Sequence, residues 1–449
     1  MKKTVWIVWF LLLGVACQKD DENVVQYEKG SNESINQWIY EQMKRYYYWN
    51  DNLPDHNINL SLFPKDYFNT LVYSDDPYSY AYHPSLPETF PQSLRKTYGF
   101  DMGFIEYQGN VYGVVLYTLA DSPAENAGLH RGVFITSVNG TSFSLTNYNT
   151  LYSDLINSDQ AELKIVSYTV ANGFSTPQQI TIYQSFTFGQ SVDYSIVEEN
   201  NKKIGYVYFS HFDAGMAPLF VQVFGSLKNQ QVEEIVLDLR YNGGGDVSSA
   251  AALCSILASG IHRDDLFIKY AGNENGGLVD QTFEEALRMN ESQISFEALR
   301  NVHPQINRVY VLCGNHTASA SEIVINNLKP YMGVITIGAT TVGKDVAGFT
   351  IEDERDPEVQ GWVLYPSIYK LYNADNQGNY HAGITPVYEL NELENLEIMA
   401  LGTPDETLFR KALDLIEIGN GGRSADPNII PLKIEYQPTA EPVIFYRQN

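Results

Sequence analysis

The chain is short of cysteine, with 3 in 449 residues. Cys254 and Cys313 lie in apolar runs, AALCSIL and VYVLCG. They are expected to be unpaired core thiols rather than a disulfide framework. No Cys-x-x-Cys or His-x-x-x-His spacing occurs. The sequence therefore offers no zinc-site signature and implies no metal or cofactor. Basic residues are also scarce: 29 Lys and Arg stand against 54 Asp and Glu, a net charge of −25. Such an acidic surface repels phosphate backbones and excludes nucleic acid as a partner. The apolar run Val5–Leu13 is far short of the ~20 residues a membrane-spanning helix requires. Tyrosine is abundant, at 32 residues. Hydrophobic residues at 44% and charged residues at 18% fit a folded chain of two or three domains.

Lys2 and Lys3 precede the Val5–Leu13 run, and Gly14-Val15-Ala16-Cys17 follows it. A charged start, a short apolar stretch and small residues read as a secretory signal. The segment resembles a bacterial lipoprotein signal. That implies loss of residues 1–16, lipidation at Cys17, and a tether over 17–32 that anchors the protein to a membrane. Gly14 stands where that pattern usually has a larger aliphatic residue. The acidic QKDDEN after Cys17 resembles the surface-export signal of Bacteroidetes lipoproteins. It implies an outer-membrane or cell-surface lipoprotein, with the periplasmic side as the alternative.

An N-terminal helical region is expected over 33–95. Ile35, Trp38, Ile39 and Met43 recur at helical spacing, and Pro54 should end that helix. A second helix is expected near Lys65–Val72. Residues 96–187 read as β-rich. VYGVVLYTL predicts a strand, Ser122 or Asp121 can cap a short helix from Pro123, and Gly128 can end it. A strand from Phe134 to Val138 then meets an Asn139-Gly140 turn. This stretch resembles a PDZ domain, with Val133 where the family usually has Asp. YGFDMGFIE (98–106) aligns with the loop that holds a peptide carboxylate. The resemblance assigns peptide binding to Gly99, Phe100, Met102 and Gly103, with the peptide adding as a strand.

From about 188 to 419 the pattern becomes α/β. EEIVLDLRYNGGGDVSSAAALCSILAS is a buried strand, a glycine turn and a helix. NRVYVLCGNHTASASEIVINNLKPYMG repeats that order, and VITIGATTVGK predicts another strand. Two such units in series argue for a sheet covered by helices. Residues 420–449 form a C-terminal extension with no assigned role.

Three features carry candidate chemistry. Ser319-x-x-Glu322 is a capping box, sufficient by itself to explain both residues. A serine at a strand–turn–helix junction is also a position for a nucleophile. The glycines of LDLRYNGGG can present unobstructed backbone amides, and Lys344 follows Ser319 at the end of a β-branched stretch. Together with AGITP (382–386), these match the carboxyl-terminal processing, or tail-specific, serine protease family. The resemblance implies a multidomain α/β chain: a helical region, a PDZ-like β domain, and an α/β protease core of the crotonase-like type. It implies a serine endopeptidase acting on polypeptides through their C-terminal segments. Ser319 would be the nucleophile, Lys344 the general base, and the amides of Gly244 and Ala320 the oxyanion donors. Free lysine has a pKa near 10.4, so a base working near neutrality must lose about 3 units, by burial. Asp345 and Gly348 depart from the family, which often has Gly and a supporting Gln there. They favour the alternative of a non-catalytic peptide-binding or apolar-ligand-binding lipoprotein. His211 and His316 are rival bases, His316 lying three residues before Ser319.

Overall fold

The computed structural model describes residues 27–54, 59–91, 95–186, 192–288, 294–356, 361–417 and 428–434. The signal segment, Cys17 and QKDDEN lie outside the described residues. Helix α1 (Asn32–Tyr46) begins where the Ser31 hydroxyl accepts from the Ser34 amide, and it buries Trp38, Ile39 and Met43. It starts within the last residue of the expected tether. It stops at Tyr46, well before Pro54. Tyr47 turns extended because its buried side chain is needed elsewhere: its hydroxyl donates to Asp76 Oδ2 at 2.9 Å. Helix α2 (Pro64–Leu71) packs on α1. Asp76 also accepts from the Ser79 and Ser367 hydroxyls, tying this region to the α/β core.

The β-rich module follows: β1 (Phe100–Tyr107), β2 (Asn110–Thr118), α3 (Pro123–Asn126), β3 (Phe134–Val138), α4 (Tyr148–Ile156), β4 (Gln160–Val166) and β5 (Gln178–Tyr183). Ser122 caps α3, and Gly128 follows it with φ +85°. The turn after β3 has positive φ at both Asn139 and Gly140, as a tight hairpin requires. Val133 is buried in the module's core.

The α/β core places β6 (Asp193–Glu199), β7 (Lys202–Tyr208), β8 (Glu234–Asp238), β9 (Arg308–Cys313), β10 (Gly333–Gly338) and β11 (Tyr388–Glu389) in one sheet, in that order. From β7 to β11 the pairing is parallel. Helices α5 (Ala217–Asn229), α6 (Val247–Leu257) and α7 (Ala320–Leu328) cover one face. Helix α8 (Thr407–Glu417) covers the other. α6 and α7 pack together, and α7 is buried on every side, as expected of an interior helix. Cys254 and Cys313 are free and buried. A last strand, β12 (Ile429–Leu432), joins the edge of β1, so the sheet order of the β-rich module is β12-β1-β2-β3-β4-β5.

A buried charge cluster rivets the module to the core. Arg131 reaches Glu392 at 2.7 Å, Glu406 at 3.1 Å and the Tyr241 hydroxyl at 2.5 Å. Arg240 joins Asp238 and Glu406. Burial alone would raise the Glu392 carboxyl, but Arg131 and Arg240 outweigh it and hold it at about 2. Removing one partner of a buried pair strands the other. Arg131→Ala is therefore expected to destabilise the chain by about 3–5 kcal/mol, read as a lower urea midpoint. A loss below about 1 kcal/mol would show that water or Arg240 compensates Glu392 fully.

Candidate active site

The parallel register sets two strand–turn–helix junctions side by side: Val236, Leu237 and Asp238 pair with Tyr310, Val311 and Leu312. The turn after β8 carries the glycines, and the turn after β9 carries Ser319. Polar bonds lock them together. The Thr317 hydroxyl donates to Leu239 O at 2.8 Å, the Ala318 amide to Asn242 O at 3.2 Å, and the Ser321 hydroxyl to Asn242 Oδ1 at 2.9 Å.

Ser319 is more than a helix cap. Ordinary serine caps in this chain, at Ser31, Ser122 and Ser295, have φ between −69° and −76° and ψ between 155° and 160°. Ser319 also forms its capping box, but at φ 54° and ψ −116°. A β-carbon disfavours that conformation, which persists only where its surroundings impose it and which recurs at functional turns. The imposing neighbour is the glycine turn. A Cβ on Gly244, whose φ is +99°, would lie 2.6 Å from Ala318 O, 2.7 Å from Ser319 Cβ and 2.9 Å from Ala320 N. Only glycine permits this approach. The amides of Gly244 and Ala320 thus flank the serine, Ala320 being the first residue of α7. The Gly244 amide donates to Asn242 Oδ1 at 2.9 Å, so it must change partner to bind anything else.

Lys344 does not end a strand. β10 stops at Gly338, where a Cβ would lie 2.1 Å from Cys313 O. The segment after it is gathered onto one carboxylate. Glu322 accepts from the Ser319 amide (2.9 Å), the Thr341 hydroxyl (2.5 Å), the Gly343 amide (2.6 Å) and the Lys344 amide (2.8 Å). Burial raises its carboxyl to about 7 against those four bonds. Gly383 of AGITP packs on the same segment, where a Cβ would lie 2.2 Å from Thr341 O.

The Lys344 side chain is 2% exposed. Its Nζ lies 5.4 Å from the Tyr78 ring centre and 5.6 Å from that of Tyr365. The rings around Nζ come from segments distant in the chain. The Tyr380 hydroxyl is buried and has no hydrogen-bond partner among the described residues. Burial, then Glu322 and Asp345, hold its pKa well above the usual range. Asp345 pairs with Lys370 Nζ at 2.7 Å. Among the described residues no cluster of three or more His, Cys, Asp or Glu side chains is grouped as for a metal ion.

The histidines stand apart from this arrangement. His316 directs Nε2 at Asp101 of the β-rich module, 2.7 Å away. Burial alone would lower the His316 pKa, but the bond to Asp101 and its charge raise it. His211 is buried behind the glycine turn, and burial lowers it to about 4.

Residues 203–390 match the model of peptidase family S41, and residues 34–80 match the S41 N-terminal domain. The chain belongs to peptidase family S41. It is 23% identical over 352 residues to a probable CtpA-like serine protease of Staphylococcus aureus, covering 77% of this chain and 64% of that one. It is 24% identical to the carboxy-terminal processing protease CtpB of Bacillus subtilis, covering 71% and 60%. The matches thus span less than two thirds of those relatives. Among solved structures, a putative S41 protease from Bacteroides fragilis is similar at TM-score 0.68 and 28% identity, covering 85% of this chain and 97% of that one. The photosystem II D1 C-terminal processing protease shares the fold at TM-score 0.52 and 18% identity, covering 84% and 97%.

Within the S41 core, Ser319, Gly244 and Ala320 come together, and Glu322 links Ser319 to the Lys344 backbone. At Gly348 a Cβ would lie 2.1 Å from Pro366 O, so no side chain fits where a supporting glutamine was expected. In the β-rich module the loop expected over 98–106 is instead largely strand: Gly99 has φ +79°, and Phe100, Met102 and Gly103 lie on β1, paired to β2. The Met102 amide donates to Asp101 Oδ1 at 2.7 Å, and Leu393 packs against Gly103. Sequence reading missed Tyr78, Tyr365 and Tyr380, which converge from distant segments. Asp238 and Arg240 were in plain view in LDLRYNGGG. Two charges at the end of a buried strand require partners, a signal that was available.

Proposed function

We propose that the protein is a serine endopeptidase cleaving polypeptides by a Ser319–Lys344 dyad. Ser319 Oγ attacks the scissile carbonyl as Lys344 Nζ takes its proton. The Gly244 amide, released from Asn242, and the Ala320 amide hold the oxyanion. The Lys344 ammonium returns that proton to the leaving amine as the C–N bond breaks and the acyl-enzyme forms. Neutral again, Lys344 activates the water that hydrolyses the ester and frees Ser319. The strained Ser319 backbone, wedged against Gly244, is the observation that carries this reading. The β-rich module acts as a PDZ-like domain that captures substrate C-terminal segments along β1 beside Gly99–Gly103. Export and a lipid anchor at Cys17 place the enzyme at the outer membrane or cell surface.

A second reading is a peptide-binding lipoprotein without turnover. It is favoured by the filled space at Gly348 and by the Gly244 amide's bond to Asn242. A fluorophosphonate probe separates the two. The enzyme reading expects a covalent adduct on Ser319 by mass spectrometry and hydrolysis of an unstructured polypeptide. Absence of both in folded protein would overturn it.

A further inference from the structure

The groove beside β1 already holds a segment of this chain. β12 pairs antiparallel with β1, setting Phe104 opposite Leu432, Ile105 opposite Pro431, Glu106 opposite Ile430 and Tyr107 opposite Ile429. On its other flank the Tyr148 hydroxyl of α4 donates to Lys433 O at 2.7 Å. Leu432 and Ile434 pack against the same cluster as Phe104 and Tyr152. The segment therefore lies between a strand edge and a helix, with alternate aliphatic side chains turned inward.

Its direction is informative. As residue number rises from 429 to 432, the partner falls from Tyr107 to Phe104. The segment runs toward the Phe100 end of β1, just after Gly99, as a peptide would if its carboxyl end sought the amides there. It is also lightly held. Of these residues only Ile429 is buried, Ile430 is 53% exposed, and Leu432 and Ile434 are half-buried. Pro431 has no N–H for the ladder, which fits an edge strand rather than a core one.

We propose that residues 428–434 are a tethered peptide ligand, which a substrate's C-terminal segment must displace before it adds to β1. This rests on the reading of the module as a peptide-capture domain. Tethering gives such a segment an effective concentration on the order of millimolar. Weak tails are then excluded, and tails that place Leu or Ile at alternate positions, as Leu432 and Ile434 do, are selected.

The test compares the full chain with one ending at residue 427, using a labelled peptide of residues 428–434. The shortened chain should bind the peptide at least about tenfold more tightly than the full chain. A second variant carries a site for a specific protease within residues 418–427 and is cut after folding. Upon dilution the released segment should leave, and labelled peptide should take its place. Retention of the cut segment through dilution would overturn the proposal. So would a folded shortened chain that does not bind the peptide, or loss of the module's fold on shortening. Competing peptides with free carboxyl ends then test the capture reading separately. If the shortened chain binds residues 428–434 but no such peptide displaces them, substrate capture fails while self-occupancy stands.

Discussion

Ser319→Ala is expected to lower kcat/KM on an unstructured polypeptide by roughly 10⁴-fold or more, and Lys344→Ala by a similar factor. Lys344→Arg should be as inactive as Lys344→Ala. Guanidinium keeps its proton in proteins and cannot accept one from the serine. The double variant should be no slower than the slower single variant, because a nucleophile and its base act as one unit. Progress curves under first-order conditions measure all four, and unfolding curves check that each variant is folded. If Lys344→Arg keeps a tenth of the activity, Lys344 is not the base. His316 is a poor substitute, with Nε2 already held by Asp101 at 2.7 Å.

Local chemistry was the legible part of the sequence. The Ser122 cap, the Asn139-Gly140 turn and the Phe134–Val138 strand depend on neighbours in the chain, and they stand where propensity puts them. The two strand–turn–helix units were readable for the same reason. Their parallel pairing brings Gly244 to Ser319, and for that contact family resemblance, not periodicity, supplied the expectation. Lys344 shows the opposite case. A β-branched run suggested a strand through to the lysine, yet Gly338 packs on Cys313 O and the chain turns off to reach Glu322. Tertiary hydrogen bonds override strand propensity there.

The early end of α1 has the same cause. Helical spacing continued, but Tyr47 leaves the helix to bury its ring and bond Asp76. That bond belongs to the network through which Ser367 holds the N-terminal region, and this region supplies Tyr78 to Lys344. The tyrosine that ends α1 thus also helps shape the site. A single sequence cannot show it, because the residues share no local pattern.

Glu322→Ala should damage fold and activity together, unlike the dyad variants. It leaves three amides and a hydroxyl without their acceptor in a buried site, at a cost of about 3 kcal/mol or more. It also frees the Lys344 backbone from the Ser319 turn. Glu322→Gln keeps the shape but turns an NH₂ group toward two donors, whichever way the amide lies. It should therefore retain more stability than Ala and still lose about 10²-fold in kcat/KM, since small displacements of catalytic groups cost that much. The pH dependence has a definite sign. Burial raises the Glu322 carboxyl from 4.5 to about 7. The folded state therefore binds the proton more tightly than the unfolded state. That contribution is fully present below about 4.5 and is lost as pH rises through about 7. The stability difference between wild type and E322Q should shrink from pH 4.5 to pH 7.5 in urea titrations. A difference independent of pH would mean that the carboxylate is ionised throughout, held by its four donors against burial.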